Sequence, residues 1–156
     1  MLALLIPSSA QSQVAPASPI HLTINGVFFL CPQLVQKGVA PSNADLSKLG
    51  FETTAGIASG ELWFKGDGGK GRLTVDYNPV EKRCTLNYFG VGYEAIAGVT
   101  RDTVKQNGLT LIVGGDRDGA KGDVYEGPVY GSGKIARFII LENYTNRSTA
   151  VSYAER

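Results

Sequence analysis

The chain is poor in the residues from which most catalytic and metal centres are built, with one histidine and two cysteines in 156 residues. A zinc site needs three or four Cys, His or carboxylate ligands, so none can be drawn around the thiols, and no cofactor is expected. Charge of one sign is also missing. Fifteen Lys and Arg stand against 14 Asp and Glu, and the net charge of +1 creates no field that would gather nucleic acid or an anionic membrane. The apolar run Leu2 to Ile6 is far too short to span a bilayer. What the chain does have is glycine, 20 residues gathered at the ends of apolar stretches, which indicates tight turns between short strands. With 43% hydrophobic residues there is apolar material for one ordinary core.

The first ten residues run from the apolar segment Leu2-Ala3-Leu4-Leu5-Ile6 into Pro7-Ser8-Ser9-Ala10, with no Lys or Arg ahead of it. Ser8 and Ala10 suit the small positions before a secretory cleavage site at Gln11, and Ala15 and Ala17 offer a second one. Residues 1–10 are therefore read as a signal peptide, 11–18 as an unstructured leader and 19–156 as a single α+β domain. In an exported chain two thiols meet oxidising conditions, so Cys31 and Cys84 are expected to pair. Closing that loop is worth about 4 kcal/mol on the chain-entropy model.

Ser18 and Pro19 read as a helix N-cap and first position, followed by Ile20, Ile24, Val27, Phe28 and Cys31 on one helical face. Pro32 is expected to end or kink this helix. The alternation of Ile20, Leu22 and Ile24 keeps a strand open as the competing reading. Ser42 and Asp45 form a capping box for a second helix, which closes with Gly50 and with Phe51 packing back on Leu46. Three alternating stretches, Glu61 to Lys65, Arg72 to Tyr77 and Cys84 to Phe89, form a meander. Its inner face carries Leu62, Phe64, Leu73, Val75, Tyr77, Cys84, Leu86 and Tyr88.

A helix from Tyr93 to Asn107 follows, with Tyr93, Ile96, Ala97, Thr100 and Val104 on its apolar stripe and an ending at Gly108 and Leu109. Four strand-like stretches complete the chain: Leu109 to Val113, Asp123 to Tyr130, Lys134 to Tyr144 and Ser148 to Tyr153. The order is helix, helix, three strands, helix, four strands, which implies a largely antiparallel sheet with helices on one face. A faint repeat matches Gly60-Glu61-Leu62-Trp63 to Gly122-Asp123-Val124-Tyr125 and Gly71-Arg72-Leu73 to Gly133-Lys134-Ile135. Either coincidence in a glycine-rich chain or a duplicated α-β-β-β unit would give it.

Phe28-x-x-Cys31 in the N-terminal helix, Leu49-Gly50-Phe51 at the end of a short helix and Cys84 in a strand form a layout that resembles small exported proteobacterial proteins of uncharacterised function. The resemblance covers mainly residues 20 to 90 and implies export and one disulfide, with no activity attached.

Few residues offer chemistry. Asp116, Asp118 and Asp123 come nearest to a calcium loop, but the glycine falls where a third ligand belongs and no glutamate stands at position twelve. A solvated hairpin is expected instead, and no metal site. Gly66 to Gly71 lacks the Gly-Lys-Ser/Thr ending of a phosphate loop and opens a strand, so it reads as a second hairpin turn. His21 is placed on the exposed side of its helix, and Ser132 lacks the flanking pattern of a nucleophile elbow. Glu61, Asp76, Glu94 and Glu126 could supply a carboxylate pair, but spacing in sequence does not choose one. The aromatics Trp63, Phe89, Tyr125 and Tyr130 are the candidate binding surface if their strands turn them outward; a one-residue change of register would turn them in. The expected function is an exported, non-enzymatic module that binds a protein of the bacterial cell envelope, with a carboxylate hydrolase or sugar-binding protein as the alternative.

Overall fold

The N-terminal helix starts where the sequence marks it. Ser18 is extended, its hydroxyl accepts the amide of His21, and Pro19 opens α1 (Pro19–Asn25). The computed structural model describes residues 18–39, 41–53, 61–66, 69–117, 120–145 and 147–156, with side chains left undescribed at 53, 61–66, 69, 70, 117 and 120. The signal segment and nearly all of the leader lie outside these residues.

Pro32 does not end the helix. A π-helical turn, Gly26–Leu30, precedes it, and α2 (Cys31–Lys37) continues to a left-handed Gly38. Proline lacks the amide that an α-helix would bond one turn back and its ring crowds that carbonyl, so the wider turn ahead of Pro32 absorbs both defects. The same turn corrects the helix face. Buried pairs recur every four residues, Leu22-Thr23, Gly26-Val27, Leu30-Cys31 and Leu34-Val35, while Ile20 is exposed and Ile24 half-buried. A four-residue repeat drifts by about 40° per turn on a regular α-helix, so an apolar face of this kind needs a widened turn to stay on the sheet.

The second helix, α3 (Asn43–Lys48), is capped as expected. Ser42 Oγ accepts the Asp45 amide at 3.2 Å, and the Phe51 amide returns to the Leu46 carbonyl with Gly50 at φ 90°. Asn25 Nδ2 donates to the Leu49 carbonyl at 2.6 Å, tying α1 to the end of α3, and lies 2.8 Å from His21 Nε2.

The strands are β1 (Glu52–Thr53), β2 (Glu61–Gly66), β3 (Gly69–Asn78), β4 (Arg83–Phe89), β5 (Thr110–Arg117), β6 (Ala120–Val129), β7 (Lys134–Asn143) and β8 (Ser148–Glu155). Helix α4 (Tyr93–Gln106) lies between β4 and β5 in the chain. All pairings are antiparallel, and the sheet order is β1-β2-β3-β4-β8-β7-β6-β5, two meanders joined where β4 meets β8. The fold is α+β. Gly66 pairs with Gly69, so β2 and β3 form an antiparallel hairpin, and Asn78 Oδ1 accepts the amides of Val80 and Glu81 in the turn before β4.

Cross-strand rows show which face is covered. Tyr77, Cys84, Tyr153, Phe138 and Tyr125 stand opposite one another in sequence across five strands, as do Val75, Leu86, Val151, Ile140 and Asp123 in the next row. The helices lie on this side: Phe28 stacks on Phe138 with ring centroids 5.2 Å apart, Phe138 meets Tyr153 at 5.0 Å, and Cys31 is bonded to Cys84 with Cα atoms 5.4 Å apart. Leu73, Val75, Leu86 and Tyr88 are buried as expected, and Tyr77 is partly so; Leu62 and Phe64 fall among the undescribed side chains. The Tyr93, Ile96, Ala97, Thr100 and Val104 stripe of α4 is buried throughout.

The 62-residue repeat fails on face. It equates Leu73, inside, with Ile135, on the outer side and exposed. At the far end of the sheet, the Glu155 carboxylate is buried and takes hydrogen bonds from Tyr153 Oη, Gln36 Nε2 and Lys134 Nζ at 2.6, 2.9 and 3.0 Å. Burial opposes its charge, but these three donors outweigh burial and hold its pKa below the ordinary carboxylate value. Among the described residues no helix is long and apolar enough to cross a membrane.

Two predictions follow from the helix-to-sheet junction. Reduction of the disulfide should lower the melting temperature by roughly 10 °C, from about 4 kcal/mol of lost stabilisation in a chain of this size; an unchanged melting curve in reductant would show that the bridge contributes nothing. Gly26 lies where an added Cβ would collide with buried Leu86. Gly26→Ala gains about 1 kcal/mol of helix preference but overpacks the core by about 1 to 3 kcal/mol. A lowered urea midpoint is therefore expected.

Candidate functional site

The four aromatics do not form one surface. Tyr125 faces inward and is 2% exposed, which corrects the outward placement. The reason is Asp123, two residues earlier on the same strand face: a carboxylate there suggests solvent, but it turns inward to Arg101 of α4, with Nε donating to Oδ2 at 2.5 Å. Phe89 does lie on the outer face, half-buried beneath the Arg72 guanidinium, which sits 4.2 Å from its ring centroid. Tyr130 is in the β6–β7 turn and 87% exposed, at the opposite end of the sheet from Phe89. Trp63 pairs with Arg72 through the backbone of β2, and its side chain is outside the described residues.

The two calcium candidates that the structure describes do not form a site either. Asp116 is exposed opposite Lys121, Asp118 is outside the described residues, and the Asp123 carboxylate is held by Arg101. Among the described residues no group of His, Cys, Asp and Glu is placed to hold a metal ion. The other carboxylates are dispersed as well. Asp76 accepts from Asn87, Glu94 faces Arg101 and Lys121, and Glu126 lies between Arg137 and Arg156. Ser132 bonds the Val129 carbonyl and accepts the Lys134 amide, which is turn chemistry.

Two features are brought together that were not singled out in the sequence. The first is the outer face of β5, β6 and β7, which no helix among the described residues covers. Val113, Val124 and Ile139 form one row, and Leu141 lies in the next, over Gly122, where an added Cβ would meet Leu141 Cδ1 at 3.1 Å. Ile135 on the same side of β7 is 37% exposed, Leu141 43%, and Ile112, at the bulge between Leu111 and Val113, 53%. The signal was present: Phe138-Ile139-Ile140-Leu141 is apolar at every position, and a strand apolar on both faces either is covered twice or leaves one apolar face open.

The second feature is a cleft of about 300 Å³ between the start of α4 and the β7–β8 hairpin, lined by Val91, Gly92, Tyr93, Glu142, Asn143, Tyr144, Arg147, Ser148 and Thr149. Glu142 and Thr149 are register partners, so both side chains leave the sheet on the helix side. Tyr93 forms a fixed wall because its hydroxyl accepts from Arg101 Nη2 at 3.0 Å. Burial works against the charge of Arg101, yet the hydrogen bond and charge of Asp123 outweigh it and raise its pKa. Burial raises the pKa of Tyr93, and the Tyr144 phenol is raised by its hydrogen bond to Glu142. The hairpin residues were missed because a polar turn sequence reads as solvent-exposed connection, and only tertiary packing brings α4 over it.

Removing one partner of the Arg101–Asp123 pair leaves the other partly buried and unpaired. Arg101→Met and Asp123→Asn are each expected to cost about 2 to 3 kcal/mol, and the double variant less than the two together. Urea denaturation of all four proteins measures this, and strict additivity would show the groups to be uncoupled. In comparisons with protein-family models, curated proteins and solved structures, the chain matches none.

Proposed function

We propose that the chain is an exported, non-enzymatic binding module of the bacterial cell envelope, whose protein partner docks on the uncovered face of β5, β6 and β7. The observation that carries this reading is the set Val113, Val124, Ile139 and Leu141, contiguous on an open face, continuing to an edge strand and bordered by the Glu126–Arg137 ion pair. Single exposed apolar residues are ordinary on a protein surface, whereas a connected set across three strands favours an interaction. The bulge at Ile112 bends the edge of β5, which disfavours strand addition there and favours a partner lying across the face. Export draws support from the Cys31–Cys84 bridge and from the resemblance of the sequence layout to small exported proteobacterial proteins.

The sheet also favours descent from two α-β-β-β units, at a different offset from the one the glycines suggest. Leu73, Val75, Leu86 and Tyr88 match Phe138, Ile140, Val151 and Tyr153 at a constant offset of 65 (73 to 138, 86 to 151), and every matched pair is buried.

The docking reading is tested by capture from a periplasmic extract with wild-type protein and with Leu141→Asp and Val113→Lys. Both positions are outward, so the melting temperatures should stay within a few degrees while recovery of a specific protein falls at least about tenfold. Equal recovery by wild type and variants would remove the face from the proposal. A concentration-dependent dimer abolished by Leu141→Asp would instead assign the face to a second copy.

A further inference from the structure

The cleft beside α4 lies on the helix side of the sheet, opposite the proposed docking face, and its chemistry is different. Helix α4 is 14 residues long and its N-cap is Gly92, which has no side chain to bond the first-turn amides. The positive end of the helix therefore opens toward the cleft uncapped. Thr149, on the floor, is 1% exposed, and its hydroxyl forms no hydrogen bond among the described residues. Its oxygen is not fully enclosed, so it faces the cleft, where a bound ligand can reach it.

Both signs of charge line this small space without neutralising each other. Arg147, held in the β7–β8 turn at φ 51°, forms no ion pair among the described residues. Glu142 engages Tyr144, but its Oε2 is enclosed with no donor. An anion alone would meet the repulsion of Glu142, and a cation alone would meet Arg147 and the helix terminus. A ligand carrying both charges satisfies both ends.

We infer that this cleft binds a small zwitterion with an ammonium and a carboxylate, of the size of a free amino acid or a dipeptide. The carboxylate is taken by the first-turn amides of α4, the Thr149 hydroxyl and the Arg147 guanidinium. The ammonium is taken by Glu142, after a turn of its carboxylate about the last bond brings Oε2 to the cleft. Tyr93, fixed by Arg101, and Tyr144 supply the aromatic walls. The volume of about 300 Å³ is at the small end of the range for ligand sites, which suits a ligand of a few to about a dozen heavy atoms.

The test uses the whole domain and amide-resolved NMR titration with glycine, L-alanine and L-alanyl-L-alanine at millimolar concentrations. N-acetyl-L-alanyl-L-alanine, which lacks the ammonium, and L-alanyl-L-alanine amide, which lacks the carboxylate, are titrated beside them. Saturable shifts at Gly92, Tyr93, Glu142 and Thr149 are expected with at least one zwitterion, and binding roughly tenfold weaker for each singly charged analogue. Arg147→Gln and Glu142→Gln should each weaken zwitterion binding by a similar factor while the remaining amide positions stay unchanged, which shows the fold intact. Equal binding of the zwitterion and its blocked analogues overturns the inference. So do shifts confined to residues outside the cleft, or no saturable shift with any of the three zwitterions.

Discussion

The first helix can reach the sheet because Gly26 has no side chain: its backbone lies against Leu86 of β4, and the Cys31–Cys84 bond is made just beyond. Much of the architecture depends on that approach. It seats Phe28 on Phe138, buries Leu30, Leu34 and Val35, and brings α1 against α4. The position of α4 in turn places Tyr93 and Arg101, and so the wall of the cleft and the partner of Asp123. A small close contact near the N-terminus of the domain is thus linked through two helices to both polar features of its other half.

The sheet divides the molecule into two surfaces with different chemistry. On the helix side, polar groups are admitted only with partners: Asp123 with Arg101, and Glu155 with Tyr153, Gln36 and Lys134. At the cleft that rule lapses for one oxygen of Glu142, which is part of why a ligand is inferred there. On the outer side the pattern is reversed. The middle strands carry Thr85, Asn87 and Ser152, while the strands near the β5 edge carry Val124, Ile139 and Leu141. That face is thus polar over the middle strands and largely apolar toward the β5 edge, apart from the Glu126–Arg137 pair.

The local elements were legible because each is written in adjacent residues. Ser42 with Asp45, Gly50 with Phe51, and the stripe from Tyr93 to Val104 need no information from elsewhere in the chain, and the alternation of β3 and β4 gave their inner faces correctly. The errors arose where a distant partner reverses a local preference. Asp123 looks like a solvent residue until Arg101, on another element, pairs with it, and Tyr125 follows it to the inside. Pro32 looks like a terminator until the preceding turn widens. The cleft could not be read at all, since its residues come from a helix start and a hairpin some fifty positions apart in the chain.

That widened turn also constrains how the protein can change by insertion or deletion. Loss of one residue from Gly26–Leu30 would restore regular α-helical winding and rotate everything after it by about 100° relative to α1. Cys31 would leave its position over Cys84, and Leu34 and Val35 would turn away from the core. The helix can therefore exchange side chains at its exposed positions, but its length between Leu22 and Val35 is held fixed by a covalent bond that lies outside the turn itself.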